Sequence, residues 1–560
     1  MPILRVLIAT GVALALADAS VVTLALPEIL VELDTTVEGV AAVIGVYTLV
    51  LAATLPGAAW LQGRVADRTL GVAGFGLFAV AGALCATPDA IGPMLGFRAV
   101  QAIGAAAALV AGFAYLRVAA DDAGWVHGGR LWTIAAVFGT AVGPALGGAL
   151  TQAFDWRAIF LAQVPLGLAA AAGCLVVREE RQLAAAPAPA EAQAAAGRTG
   201  AVVALAAVSA ALTGVLFLLV LLLVSGWSVE PLAAALAVSV LPLAAFAGAR
   251  IRGDAAVRAS AGCSLVGGGV LALAVLPGAT AGWIVAPQLL AGVGMGMALP
   301  ALAGELLPER TARQAAGLLS IRHAGITLAL LALAPVAAAQ LDDAVADVRE
   351  RGAALVLDAR LPPLDKLELA GPLVADLDPA DPRDGLRRAL DAQAGRFADD
   401  RDQRREYAEL TERADDALLA GIDSAFRIAF AIAGGLALIG AVAVMPRSAG
   451  GRAAAAAVAA GALALPVVHA IVRPQVAPEP VVIADPCADR ELPDTGGIDG
   501  FVQDQALAAL DRAACRFGSS REELALALAD EEQARAYEAA HGVDPRSTGG
   551  VLRALGIDLG

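Results

Sequence analysis

Runs of about twenty apolar residues, repeated along most of the chain, leave this sequence very few architectures. Each run is long enough to cross ~30 Å of hydrocarbon as a helix rising 1.5 Å per residue. Lipid offers the backbone no hydrogen-bond partner, so such runs become membrane-spanning α-helices. Spans are expected near 6–27, 40–60, 72–88, 92–116, 130–150 and 158–177, then near 201–224, 229–249, 259–278, 282–304, 315–339, 422–445 and 453–472. Composition agrees: 58% of residues are hydrophobic and 17% charged, against roughly 45–50% and about 25% in soluble domains. The first run lacks the small-residue cleavage site of a removed signal peptide and reads as a retained span.

Arginine sets the orientation, because short cytoplasmic loops carry the excess of positive charge. The loops holding Arg64 and Arg68, Arg117 to Arg130, Arg178 to Arg198, Arg250 to Arg258, Arg310 and Arg313, and Arg447 and Arg452 are basic. Those at 28–39, 87–91, 225–230 and 277–281 are almost free of it, with Arg157 the exception. The N-terminus is therefore expected in the cytoplasm. Residues 1–177 form a first six-helix half, 178–200 a cytoplasmic linker and 201–445 a second half with an extracytoplasmic insertion at 341–421. A thirteenth span within 446–473 places the tail, 474–560, outside as well. The expected fold class is an all-α polytopic membrane protein, a six-plus-six bundle with one extra C-terminal span and a small extracytoplasmic helical domain.

The net charge of −15 gathers in the insertion and the tail, and Lys366 is the only lysine. No basic footprint for nucleic acid is present. Helices are expected over Phe501 to Arg516 and from Arg521 onward, the latter capped by Ser519 or Ser520. An outside tail permits a disulfide between Cys487 and Cys515, and the tail is read as a small domain stapled by it. The bland reading of both acidic segments is a solvated accessory region.

No phosphate-binding Gly-Lys-Ser/Thr loop and no metal-ligand spacing occurs, and the four histidines are scattered. No cofactor, no metal and no enzymatic activity are expected. Charge inside the apolar runs is costly and marks function by default. Asp18 interrupts the first span, and Arg98, with Gln101 one turn on, interrupts the fourth. Either they handle protons, or they form a structural ion pair that fixes packing. In the second half, Glu305, Arg322 and His323 are weaker candidates, readable also as loop-edge or packed residues. Gly139, Gly143, Pro144, Gly147 and Gly148 damage helix propensity but permit close packing and bending, as in a gate or hinge.

These residues resemble the major facilitator superfamily, and within it the drug:proton antiporters. Five signatures occur in order: Ala17-Asp18-Ala-Ser20-Val-Val-Thr23-Leu-Ala25-Leu26-Pro27, Gly63-Arg64-Val-Ala-Asp67-Arg68, Arg98-Ala-Val-Gln101-Ala-Ile-Gly104, Gly139 to Gly148, and Trp156-Arg157-Ala-Ile-Phe160 through Gly167. The resemblance implies alternating access of two six-helix halves driven by proton exchange. It assigns Gly63, Asp67 and Arg68 to a cytoplasmic latch, Arg98 to proton coupling, Asp18 to proton or cation handling, and the glycine–proline stretch to an outward gate. Departures from the family pattern are Val-Ala-Gly-Phe-Gly after Gly71 in place of a basic cluster, Gln163 in place of Asn, and Ala158 in place of an aromatic. The expected protein is a plasma-membrane efflux antiporter whose partners are a lipophilic or amphipathic small molecule, protons and the bilayer. Alternatives are an exporter of lipid or cell-envelope precursors and a transport-inactive scaffold or receptor using the outer tail.

Overall fold

A computed structural model describes residues 2–118, 143–176, 194–308, 311–362, 365–366, 369, 382–490, 492–493 and 497–547. Among them twelve helices are long and apolar enough to cross a membrane, and no strand is present. The expected fifth span lies partly outside the described residues, with 143–153 helical.

In chain order, α1 is Pro2–Thr23, α2 Leu26–Glu32, α3 Val37–Gln62, α4 Asp67–Cys85 and α5 Ile91–Val118. The helical stretch 143–153 is α6. Then come α7 Arg157–Val176, α8 Ala194–Leu221, α9 Pro231–Val238, α10 Val240–Gly248, α11 Ala255–Leu273, α12 Ala281–Leu306 and α13 Ala312–Asp358. Boundaries fall where side chains satisfy the free N–H groups of a first turn. Thr36 accepts from Gly39 N at 3.2 Å before α3, Asp254 from Val257 N at 3.0 Å before α11, and Thr311 from Gln314 N at 3.2 Å before α13. Pro231 opens α9, where its missing N–H is harmless.

The chain divides into two compact units. The first comprises 1–224, 229–339 and 426–475 and contains the bundle. Its first half packs α1, α3, α4, α5 and α7 together, and its second packs α8 and α10 to α12. The halves meet along α1 and α8, and also where Thr48 of α3 and Thr327 of α13 share a hydrogen bond of 2.9 Å.

The second unit comprises 225–228, 340–425 and 476–560. Insertion and tail, far apart in sequence, thus belong to one body. Arg521 is fully buried, and its Nη2 reaches Asp358 Oδ1 at 2.7 Å. Arg490 pairs with Asp511 at 2.8 Å. Cys487 and Cys515 form a disulfide closing a 28-residue separation, which on chain-entropy grounds stabilises the unit by about 3–4 kcal/mol. Ser520 Oγ accepts from Glu523 N at 2.9 Å, capping the helix Arg521–Ala529. Its Leu524 and Ala527 pack in one cluster with Ala514 and Tyr537. Arg383 forks onto Asp415 at 2.7 and 2.8 Å and donates to the Trp227 carbonyl, while Trp227 Nε1 donates to Asp423.

Lys366 is buried in this unit, with its Nζ donating to Leu357 O at 2.8 Å. Burial pulls its ammonium down from 10.5 to about 8. Between these values the unfolded chain binds more protons than the folded one, so stability rises with pH through that window. The second unit should therefore melt at a higher temperature at pH 10 than at pH 8. Lys366→Met should flatten that profile in a calorimetric pH series.

Candidate functional site

Asp18 and Arg98 find each other. Arg98 Nη2 lies 2.6 Å from Asp18 Oδ2, with both side chains fully buried. An unpaired charge at this depth is far more costly than a pair, which explains why two charged residues survive in apolar helices. The pair belongs to a closed ring of hydrogen bonds. Arg98 Nη1 donates to Gln101 Oε1 at 2.7 Å, Gln101 Nε2 to Gln163 Oε1 at 3.0 Å, and Gln163 Nε2 to Asp18 Oδ1 at 3.1 Å. These three hydrogen bonds run one way from Arg98 to the Asp18 carboxylate, and the ion pair closes the ring, which requires both amides to face the same way round it.

Arg98 Nε donates to Val43 O at 3.1 Å, and the guanidinium lies 4.4 Å from the Tyr47 ring and 5.5 Å from that of Phe160. Five elements converge on the cation: α1, α3, α5 and α7 by contact, with Cys85 of α4 approaching Gln101 Oε1 at 3.7 Å. Gln163, Tyr47 and Phe160 are ring or cage members that sequence reasoning did not place in the site; the only signal was Gln163 standing where the resemblance leads one to expect Asn. Gln163→Leu should leave one buried acceptor of Asp18 and one amide of Gln101 unsatisfied, costing about 1–3 kcal/mol. Thermal melting of the purified variant checks this, with Gln163→Asn expected to recover most of the loss.

A cleft of about 690 Å³, open space included, lies between the halves. From α1 it is lined by Leu16, Ser20 and Thr23, and from the second half by Ser209, Arg322 and His323 among others. Asp18, on the same helix as Ser20, is not among the lining residues; it faces the ring. His323 Nδ1 meets Leu319 O at 2.7 Å, and since a carbonyl only accepts, Nδ1 carries the hydrogen in this bond. Glu305 is exposed in the last turn of α12 and away from the cleft.

Gly143 and Gly147 press α6 against α1: a Cβ on Gly147 would collide with the Val21 carbonyl, and one on Gly143 with the Ser20 hydroxyl. Gly148 presses the other face against α9, where a Cβ would stand 2.7 Å from Pro231 O. Gln152 continues this contact, accepting from Leu232 N at 2.9 Å. Pro144 is buried in the same stretch, and Gly139 lies outside the described residues. Nearby, Arg157 pairs with Glu32, and Trp156 Nε1 donates to Glu32 Oε2 at 2.5 Å. The Arg157 guanidinium holds the Glu32 carboxyl below its usual range.

In the loop between α3 and α4, Gly63 caps α3. Asp67 opens α4 and accepts from Gln62 Nε2 at 2.8 Å, with Arg68 next on the same turn. Arg64 stacks on Trp60 at 3.6 Å.

A two-halved bundle of membrane-length helices with a buried ion pair in one half and a cleft between the halves defines an all-α polytopic membrane protein. The chain belongs to the Major Facilitator Superfamily, whose family model matches residues 8–330. It is 33% identical over 167 residues to the multidrug resistance protein Stp of Mycobacterium tuberculosis, covering 29% of this chain and 31% of that protein. It is 30% identical over 166 residues to the methylenomycin A resistance protein of Bacillus subtilis, covering 30% and 36%. The match thus spans about a third of the length of these curated relatives. In fold it is similar to a bacterial homolog of the human lysosomal transporter Spinster, solved in an inward-facing and occupied conformation, with a TM-score of 0.54 and 14% identity over 78% of this chain and 96% of that one.

Proposed function

We propose that the protein is a proton-coupled exporter of small lipophilic or amphipathic molecules, working by alternating access with its N-terminus in the cytoplasm. The observation carrying this reading is the closed ring around Asp18 and Arg98. A proton arriving at Asp18 cancels the ion pair and one acceptor of the ring, leaving Arg98 to find new partners. Because the ring ties α1, α5 and α7 together, its opening changes how α1 sits, and α1 also lines the cleft. Protonation and cleft shape are thereby linked through one helix. The glycine contacts of α6 with α1 and α9 act as the outward gate. The relatives' names, both resistance proteins, favour efflux over uptake. Substrate-induced proton movement in vesicles containing the reconstituted protein tests the reading. Proton movement is expected with wild type and absent with Asp18→Asn; full coupling in that variant would overturn the mechanism.

A further inference from the structure

The cleft carries a charge that the proton ring does not account for. Arg322 is the only permanently charged side chain among its described lining residues, and no carboxylate lines it. No described acid lies within ion-pair distance of Arg322, although a guanidinium at this depth is expensive without compensation. Ser209, in the same lining and 3% exposed, holds its hydroxyl without a hydrogen-bond partner. His323, beside Arg322, engages only Nδ1 with its own helix, which leaves Nε2 as a further polar atom. The remaining wall is largely aliphatic, with Leu16, Leu212, Leu216, Met295 and Ile326 contributing. Among the described residues, one unpaired cation, one unpaired hydroxyl and an apolar wall form the complement of a particular shape of molecule.

We propose that the cargo is an amphipathic oxyanion: an apolar body carrying a single carboxylate or phosphate-type group, held by Arg322 and the Ser209 hydroxyl. This rests on the transport reading and names its substrate class. Guanidinium suits the role because its fork donates in parallel to two oxygens of such a group, and a dry apolar wall strengthens each bond. Cationic amphiphiles, by contrast, meet a like charge and no acid.

The test uses the full chain in nanodiscs and radiolabelled dodecanoate, competed by dodecanamide, dodecyltrimethylammonium, dodecyl phosphate and lysophosphatidate. Dodecanoate should bind at least about 10-fold more tightly than the amide, and the quaternary amine should not compete. Arg322→Gln should erase that preference, Arg322→Lys should retain part of it, and Ser209→Ala should weaken it several-fold. Competition by dodecyl phosphate or lysophosphatidate supports the proposal, and the tighter of the two tells a free amphiphile from a lipid as source. Equal competition by the amide or the amine overturns it, as does an unchanged preference in Arg322→Gln. The lysine and serine variants, checked by thermal melting, keep the test valid if the glutamine variant folds poorly. Anion binding without proton movement in vesicles would sink the coupled-transport reading alone. Proton-coupled movement of the quaternary amine without anion preference would sink the oxyanion proposal alone.

Discussion

Arg98→Ala is expected to abolish proton-coupled transport and to lower the stability of the bundle by about 3–5 kcal/mol, the loss seen when one partner of a buried ion pair is removed. Arg98 is fully buried and supplies three polar contacts, to Asp18, Gln101 and Val43. Its loss leaves the Asp18 carboxylate in apolar surroundings with only Gln163 still donating to it. Asp18→Asn produces the converse, a guanidinium between Tyr47 and Phe160 without its counter-charge. The double variant Asp18→Asn/Arg98→Gln removes both charges and should recover most of the folding loss, since hydrogen-bonding atoms remain in place of each partner. It should not recover coupling, because no titratable group is left in the ring. Expression and melting temperature read the first effect, and substrate-induced proton movement reads the second. A double variant that regained coupled transport would reduce the pair to a structural tether and move proton handling elsewhere.

Some of this was legible in the sequence, for reasons that differ by feature. Spans are legible because apolar length is local, and Asp18 and Arg98 because a charge inside an apolar run stands out against its neighbours. Their ring is less so. Gln163 lies 145 residues from Asp18, and nothing in local pattern distinguishes a glutamine that closes a ring from one that does not. The end of an apolar run marks the end of a span and not of a helix: α13 runs to Asp358, past the expected span limit near 339. Its charged continuation keeps good helix formers and an Asp347–Arg351 pair one turn apart, so nothing stops it where hydrophobicity does. Charge also misled in the tail. Arg521 and Glu522, in a run that reads as a solvated helix start, are fully buried because the insertion packs over them with Asp358. Such long-range pairing between two acidic segments carries no sequence period. Among the second-half candidates, hydropathy could not separate Arg322 and His323, which reach the cleft, from Glu305, which does not.

Single methyl groups on the α6 glycines should act in a set order, because the atoms they meet differ in their freedom to move. Gly147→Ala meets the Val21 carbonyl, and Gly148→Ala meets the Ala235 Cβ and the Pro231 carbonyl, atoms that move only with their helix backbone. Helix backbones cannot yield locally, so α6 must separate from α1 or from α9. Gly143→Ala meets chiefly the Ser20 hydroxyl, a side-chain tip that can rotate away once its bond to Ala17 O is given up. Transport should fall at least about 10-fold for the first two and only a few-fold for the third. Gly148→Ala carries the sharper consequence, since α9 belongs to the opposite half: the cross-half contact should open while α1 stays in place. A cysteine pair at Gln152 and Leu232, adjacent through a 2.9 Å bond, reports that contact directly. Cross-linking of the pair should be rapid in the otherwise unaltered chain, slowed strongly by Gly148→Ala and nearly unaffected by Gly143→Ala. Equal slowing by all three would mean that the stretch acts as a general packing surface, and the gate would have to be sought elsewhere along the interface between the halves.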